Sequence, residues 1–406
     1  MTGEAVFRAG QLATPLGKSP MSGEQMSELL VIDDAGLAVK DGMIRAVGRF
    51  SEVRRRARGR TVDLGDSLVI PGLVDSHSHV LFAGSREGEL GMKLSGSSYM
   101  DILASGGGIL STVSKTRHAS RRLLAASASE RVKSMMLGGV TAVEAKSGYG
   151  LNLRDELKML RAAGDISCGS RIVPTYLGAH ALPPDVGREE YVSEIVEKHL
   201  PAVRRQSLSA FCDIFVEKGA FTLDEARFIL GRAKSMGFAV TAHIDEFSDT
   251  GGSVLSGELG ALSLSHLAHT PRSEFADIAA AGTVGIILPT TPLFSMSSRY
   301  PDAHGMVSEG MAVAIGSDLS PNSWNESLLL SCLLSVYSCG LKQEEAVTAA
   351  TLNSACAIGI GSEAGSLERG KRADFVCLGV DSYRKLFYRH SPGQVLSVYV
   401  GGKKAA

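Results

Sequence analysis

Between residues 67 and 365 the chain repeats one pattern eight times: a short apolar run the length of a strand, then a longer stretch of helical texture. The runs cover residues 68–74, 140–144, 171–176, 212–216, 239–242, 262–267, 283–288 and 312–315. Helical patterns at 120–137, 154–164, 188–206, 222–236 and 271–281 separate most of them. Near-continuous apolar runs suit strands buried on both faces, and a helix between successive strands is the crossover that parallel pairing requires. Eight such units predict an α/β fold, a (β/α)8 TIM-like barrel, with an open doubly wound sheet as the alternative. The flanks read differently. Short apolar runs at 29–32, 37–40 and 43–48 are broken by an expected turn over 33–36 and by the hairpin signal Asp41-Gly42. Runs at 372–378 and 395–402 have the same texture. The two ends together predict one small β-sandwich-like domain, from residues 1–66 and 366–406, with the barrel of 67–365 inserted between them.

With 406 residues, 42 basic against 43 acidic side chains and 44% hydrophobic residues, the composition is that of an ordinary folded protein. It argues against nucleic acid or a membrane surface as the main partner. The one basic cluster, Arg54 to Arg60, reads as a solvated helix end or loop. Six scattered cysteines form no Cys-x-x-Cys pair, and no apolar stretch reaches the length of a span. Buried free thiols and a cytoplasmic setting are the expectation. The glycines after Ser105 read as a mobile loop, because no strand leads directly into them.

In a barrel of this kind the C-terminal strand ends form the working face. Of ten histidines, six fall at such ends or just past them: His77, His79, His180, His243, His266 and His269. The last strand leads into Ser317-Asp318. Positions 77 and 79 share a side of an extended chain. Three neutral imidazoles and one carboxylate, from His77, His79, His243 and Asp318, suit one zinc or iron ion with a position open to water. Glu246, three residues past His243, is placed to shuttle a proton, and Asp318 can also accept one. His269 and His304 have weaker cases, and His118, His199 and His390, in polar surroundings, read as surface residues.

Pro71-Gly-Leu-Val-Asp-Ser-His-Ser-His79, the later strand-end histidine and the final Ser-Asp resemble the amidohydrolase superfamily. Finer segments resemble its imidazolonepropionase family: His77 to Glu87, Glu144-Ala-Lys-Ser-Gly-Tyr-Gly-Leu151, Tyr176 to Ala181, Ala242 to Phe247 and Ser265-His-Leu267. The resemblance covers nearly the whole chain. It implies one catalytic metal on the four ligands above, with Glu246 beside the ring and the attacking water, and His266 orienting the reacting group. Arg86, Tyr149 and His180 match the family's substrate contacts. The implied substrate is 4-imidazolone-5-propanoate, opened by water to N-formimino-L-glutamate, and a homodimer is the implied assembly. A nucleobase deaminase on the same scaffold is the rival activity, and a non-catalytic metal- or ligand-binding barrel the rival class. A second metal on Glu217 or a modified Lys218 is the alternative to a single ion. One loop departs from the family pattern Asp-x-Asn-Pro-Gly-Ser: here it reads Asp318-Leu-Ser-Pro-Asn-Ser323. Ser320 and Asn322 replace the usual Asn and Gly, Ser323 is kept, and all three are expected to touch the ligand.

Overall fold

The computed structural model describes residues 4–96, 106–391 and 393–406 and contains two eight-stranded sheets. The barrel sheet runs β6 (Leu73–Asp75), β7 (Val140–Lys146), β8 (Arg171–Ala179), β9 (Phe211–Val216), β10 (Ala239–Ile244), β11 (Ser263–His266), β12 (Val284–Ile287) and β13 (Ala312–Ile315), each parallel to the next. The circle closes beyond the formal strand ends. Asp318 N donates to the His77 carbonyl at 3.0 Å and His79 N to the Leu319 carbonyl at 2.8 Å. The seam of the barrel is therefore stitched by the backbone of three expected metal ligands, which fixes their relative height. The buried Asp75 carboxylate reinforces it, accepting from Ser317 N at 3.0 Å and His77 N at 3.3 Å.

The expected sandwich-like unit is one continuous sheet from both termini. It is built from β1 (Ala5–Thr14), β2 (Leu30–Lys40), β3 (Met43–Arg49), β4 (Arg60–Asp63), β5 (Leu68–Pro71), β14 (Phe375–Leu378), β15 (Val395–Val400) and β16 (Lys403–Lys404). One face of it has a core of its own, with Phe7, Phe375 and Tyr399 packed ring against ring, while Leu68, Ile70, Val376 and Leu378 join the core of the barrel.

Two strand expectations need correcting. The run 68–74 is two strands, not one: Leu68–Pro71 pairs with β1 and β14, and only Leu73–Asp75 enters the barrel. The break is Gly72, where an added Cβ would lie 2.2 Å from the Thr141 hydroxyl, so the chain can cross from one sheet to the other only without a side chain. The expected turn over 33–36 is absent, and β2 runs straight through it. Asp34 alone takes a positive φ, 45°, with its carboxylate on Arg8 Nε at 2.8 Å. The Asp41-Gly42 hairpin forms as read, with both φ angles positive. Arg54, Arg55 and Arg56 end the exposed helix Phe50–Arg56, as the charge run suggested. Ser105 lies outside the described residues; Gly107 is the N-cap of the helix Gly108–His118. All six cysteines are free thiols, five of them buried. No described helix is long and apolar enough to cross a membrane.

Candidate active site

His77 and His79 follow β6, His243 lies on β10 and Asp318 follows β13, and the four side chains converge on one buried point. Asp318 Oδ1 is 3.7 Å from His77 Nε2 and 3.6 Å from His79 Nε2, and His79 and His243 bring their Nε2 atoms to 3.5 Å. Ligands at about 2.0–2.1 Å from one ion lie about 3.0–3.6 Å from each other, so the observed spacings sit at the upper edge of a closed coordination shell. His77 Nε2 is buried with no hydrogen-bond partner. An inward lone pair without a donor, facing a carboxylate and two more imidazoles, fits a cation. Among the described residues, His77, His79 and His243 are the one cluster with metal-binding spacing.

At His77 and His243, though not at His79, whose buried Nδ1 has no partner, the outer ring nitrogen explains why the inner one is free. His77 Nδ1 meets Ser265 Oγ at 2.9 Å, and His243 Nδ1 faces Asp213 Oδ2 at 3.2 Å. A partner on one nitrogen fixes the tautomer that leaves the other as a ligand. Behind Asp213 stands a buried ion triad: Lys146 Nζ is 2.6 Å from Asp213 and 2.9 Å from Glu144, which accepts from Thr175 Oγ1 at 2.6 Å. Burial works against each charge. For Asp213, His243 and Lys146 outweigh it and hold the carboxyl below the usual range. For Glu144, burial wins and the carboxyl is pushed up to about 7. Burial likewise pushes Asp318 up to about 7 although Thr291 Oγ1 donates to it at 2.8 Å; a cation at the histidines would oppose that shift. The backbone here is unusual too. Asp245, His266, Leu267 and Asp318 all adopt positive φ, between 49° and 75°. Each such residue costs about 1–3 kcal/mol, so the strain gathers where β10, β11 and β13 open onto the site.

Glu246 and His266 face each other across the mouth, Nε2 to Oε2 3.5 Å. Burial, then Asp318 and Glu217, push the Glu246 carboxyl well up. The His180 ring lies nearly parallel to that of His79, centroids 5.0 Å apart, and its Nδ1 pairs with the Gly148 carbonyl at 3.1 Å, leaving Nε2 free. Tyr149, buried, sits 5.2 Å from His180 and 5.9 Å from His79. Its turn is tied by the buried Glu156 carboxylate, which accepts from the amides of Gly148, Gly150 and Leu151 at 2.7–3.0 Å. Arg86 stands just before the helix Glu87–Leu94 and is locked onto Glu89 by two bonds, 2.9 and 2.7 Å. In the departing loop, Ser320 Oγ accepts from Ser323 N at 3.1 Å and so closes its own turn. Asn322 Oδ1 accepts from Lys93 Nζ at 2.8 Å, and the Ser323 hydroxyl is buried and unpartnered.

The structure thus gathers His77, His79, His243, Asp318, Glu246, His266, Tyr149 and His180 around one point and sets Arg86 and the 320–323 loop at its rim. Glu217 is engaged elsewhere: it accepts from Phe247 N, Ser248 N and Ser248 Oγ and braces the loop after β10. His118 and His390 are exposed as read, but His199 is not a surface residue. It ends a π-turn, is fully buried, and bonds the Tyr176 hydroxyl at 2.8 Å. Sequence reading missed the roles of Lys146, Asp213, Ser265, Glu156 and Lys93. A charge inside an apolar run, as at Asp213 in Phe211–Val216, is the one signal that was available.

A model of the amidohydrolase family matches residues 68–405. Among solved structures, a triazine hydrolase variant superposes with a TM-score of 0.72 at 18% identity, covering 99% of this chain and 94% of its own. A zinc-bound adenosine deaminase from Xanthomonas campestris gives 0.69 at 18% identity, covering 98% and 92%. Both share the fold. The imidazolonepropionase of Symbiobacterium thermophilum is 43% identical over 98% of this chain and 96% of its own length. That of Caldanaerobacter subterraneus subsp. tengcongensis is 39% identical over 97% and 95%. Full-length identity at this level, joined to the ligand geometry, places the chain in the amidohydrolase family and, within it, among the imidazolonepropionases.

Proposed function

We propose that this protein hydrolyses 4-imidazolone-5-propanoate to N-formimino-L-glutamate with one resident metal ion, zinc or iron. The observation that carries the reading is the buried three-histidine, one-carboxylate set with Glu246 and His266 facing it. His77, His79, His243 and Asp318 hold the ion. When bound, it supplies the Lewis acidity that makes amide hydrolysis feasible near neutral pH.

The other roles belong to the side chains. Glu246 takes a proton from the attacking water and delivers it to the ring nitrogen as the carbon–nitrogen bond breaks; its raised proton affinity suits a group that must both accept and donate. The carbonyl carbon leaves as the new carboxylate and the nitrogen as the formimino group, so atoms balance with one water consumed. His266, held neutral by burial, orients the carbonyl oxygen. Tyr149 and His180 bracket the ring. Arg86 and the 320–323 loop form the end that meets the propanoate. A single ion is the economical reading, since Glu217 is committed to the loop after β10.

The test is purified protein with fresh 4-imidazolone-5-propanoate, followed by loss of ultraviolet absorbance and by product identification. Metal-dependent formation of formiminoglutamate supports the reading. Ammonia release from a purine or pyrimidine base instead would establish the deaminase rival, and tight binding without turnover the non-catalytic one.

A further inference from the structure

The rim that would receive the propanoate is one charge short. Arg86 and Glu89 form a closed pair, with side chains only 8% and 10% exposed. Glu89 also accepts from Gly108 N at 2.8 Å, so the pair is anchored on both sides. Burial opposes the charge on Glu89, yet Arg86 outweighs it and holds the carboxyl below its usual range. A guanidinium bound through two parallel bonds to its own carboxylate offers shape and hydrogen bonds but no net charge. A substrate carboxylate placed beside it would leave the subsite at −1.

Lys93 lies four residues after Glu89 on the same helix, so the two share one face, and Arg86 at the N-cap is bonded to that Glu89. Its Nζ reaches across the mouth to Asn322 Oδ1 at 2.8 Å and the Phe294 carbonyl at 3.4 Å. Both partners are neutral. Burial and then Arg86 disfavour the ammonium, with Glu89 opposing them more weakly. The two segments that hold it lead back to the centre. Asn322 follows Asp318 in the loop that departs from the family pattern, and Phe294 ends the helix Thr290–Phe294, whose Thr291 donates to Asp318. Beside Asn322, the Ser323 hydroxyl is buried without a partner. The arrangement is a half-buried ammonium held by neutral oxygens.

We propose that Lys93, positioned by Asn322, supplies the unpaired positive charge for the substrate's carboxylate, while the Arg86–Glu89 pair shapes that subsite as a neutral fork. This rests on the reading of the substrate as an imidazolone with a propanoate arm. Asn322 thereby acquires a use in this chain that a glycine could not fill, since glycine has no amide to hold the lysine.

The test compares metal-loaded wild type with Lys93→Met and Lys93→Arg. It measures kcat and KM on 4-imidazolone-5-propanoate, and calorimetric affinity for imidazole-4-propanoate and its uncharged amide, imidazole-4-propanamide. Lys93→Met raises KM and weakens the carboxylate ligand by about 10- to 100-fold, leaves kcat within a few-fold and leaves the amide unaffected; Lys93→Arg recovers most of the loss. Equal weakening of carboxylate and amide overturns the proposal, because Lys93 then only fastens the helix to the loop. Unchanged affinity for both overturns it as well. Wild type that turns over the substrate while Lys93→Met shows either pattern leaves the function standing. Wild type that neither binds the carboxylate nor turns over the substrate sinks the function, and this inference with it.

Discussion

The floor of the mouth and its rim are built on different principles. At the floor, His77, His79, His243 and Asp318 sit on or just past strand ends, fully or almost fully buried, and three of the four have a second partner behind them. The barrel seam itself is bonded through the backbones of His77, His79 and Asp318. At the rim, Arg86, Lys93, Ser320 and Asn322 lie on a short helix and a loop, partly exposed for the most part, and helix and loop are joined by the side chains of Lys93 and Asn322. The difference teaches where each property of the enzyme is stored. Reaction chemistry needs tight tolerance and is held by the most cooperative part of the fold, whereas substrate choice is carried by elements that can change without disturbing the barrel.

The sharpest way to break the comparison is at the floor. Replacing His243 with Ala removes a ligand and leaves Asp213 facing a void, so metal content falls well below one per chain and kcat/KM falls by about 10³-fold or more. Metal analysis alongside kinetics checks it; full activity at full metal content would mean His243 is not a ligand. Glu246→Gln separates acid–base work from metal binding. Its kcat drops by about 10²- to 10⁴-fold while metal content stays that of wild type.

Next in size is the ion triad. Lys146→Met leaves Asp213 and Glu144 as buried carboxylates without their shared cation, and it loosens the orientation of His243. Metal affinity falls by about 10- to 100-fold, measured by competition with a chromophoric chelator, and activity returns when metal is supplied in excess. Affinity unchanged from wild type would confine Lys146 to a purely structural role. The smallest effect belongs to the rim. The double change Ser320→Asn with Asn322→Gly restores the family pattern, and KM rises by no more than about 10-fold with kcat unchanged, because Lys93 loses the amide that positions it but keeps its charge, and the hydroxyl of Ser320 only closes its own turn. A loss of kcat as large as that of Glu246→Gln would show that the rim shares in the reaction after all.

Much of the floor was legible in the sequence because histidines and an aspartate at the ends of apolar runs stand out, and a parallel barrel sends all such ends to one face. The supports were not legible. Lys146 sits in a quoted motif, but its partnership with Asp213 spans 67 residues, and only the folded barrel lays β7 within reach of β9. His199 looked solvated because Glu197 and Lys198 precede it, yet the π-turn swings its ring inward onto Tyr176. The run 68–74 misled for the opposite reason. Both its halves are apolar because both are buried, and Leu68 and Ile70 even share a core with Leu73; the halves pair in different sheets, and only the need for close approach to Thr141 marks Gly72 as the crossing. At the rim, the i,i+3 spacing of Arg86 and Glu89 was open to reading, but the bond of Lys93 to Asn322 spans 229 residues and no periodicity encodes it.

The central claim is that the buried histidine–carboxylate set, served by Glu246, opens an imidazolone ring. One measurement tests it most directly: turnover of 4-imidazolone-5-propanoate by protein stripped with a chelator and then reloaded with zinc or ferrous iron, product identified by mass. The account predicts no turnover above spontaneous decay when stripped, and restored formation of N-formimino-L-glutamate at about one metal per chain. Undiminished turnover by the stripped protein, or none by protein carrying one metal per chain, would contradict it.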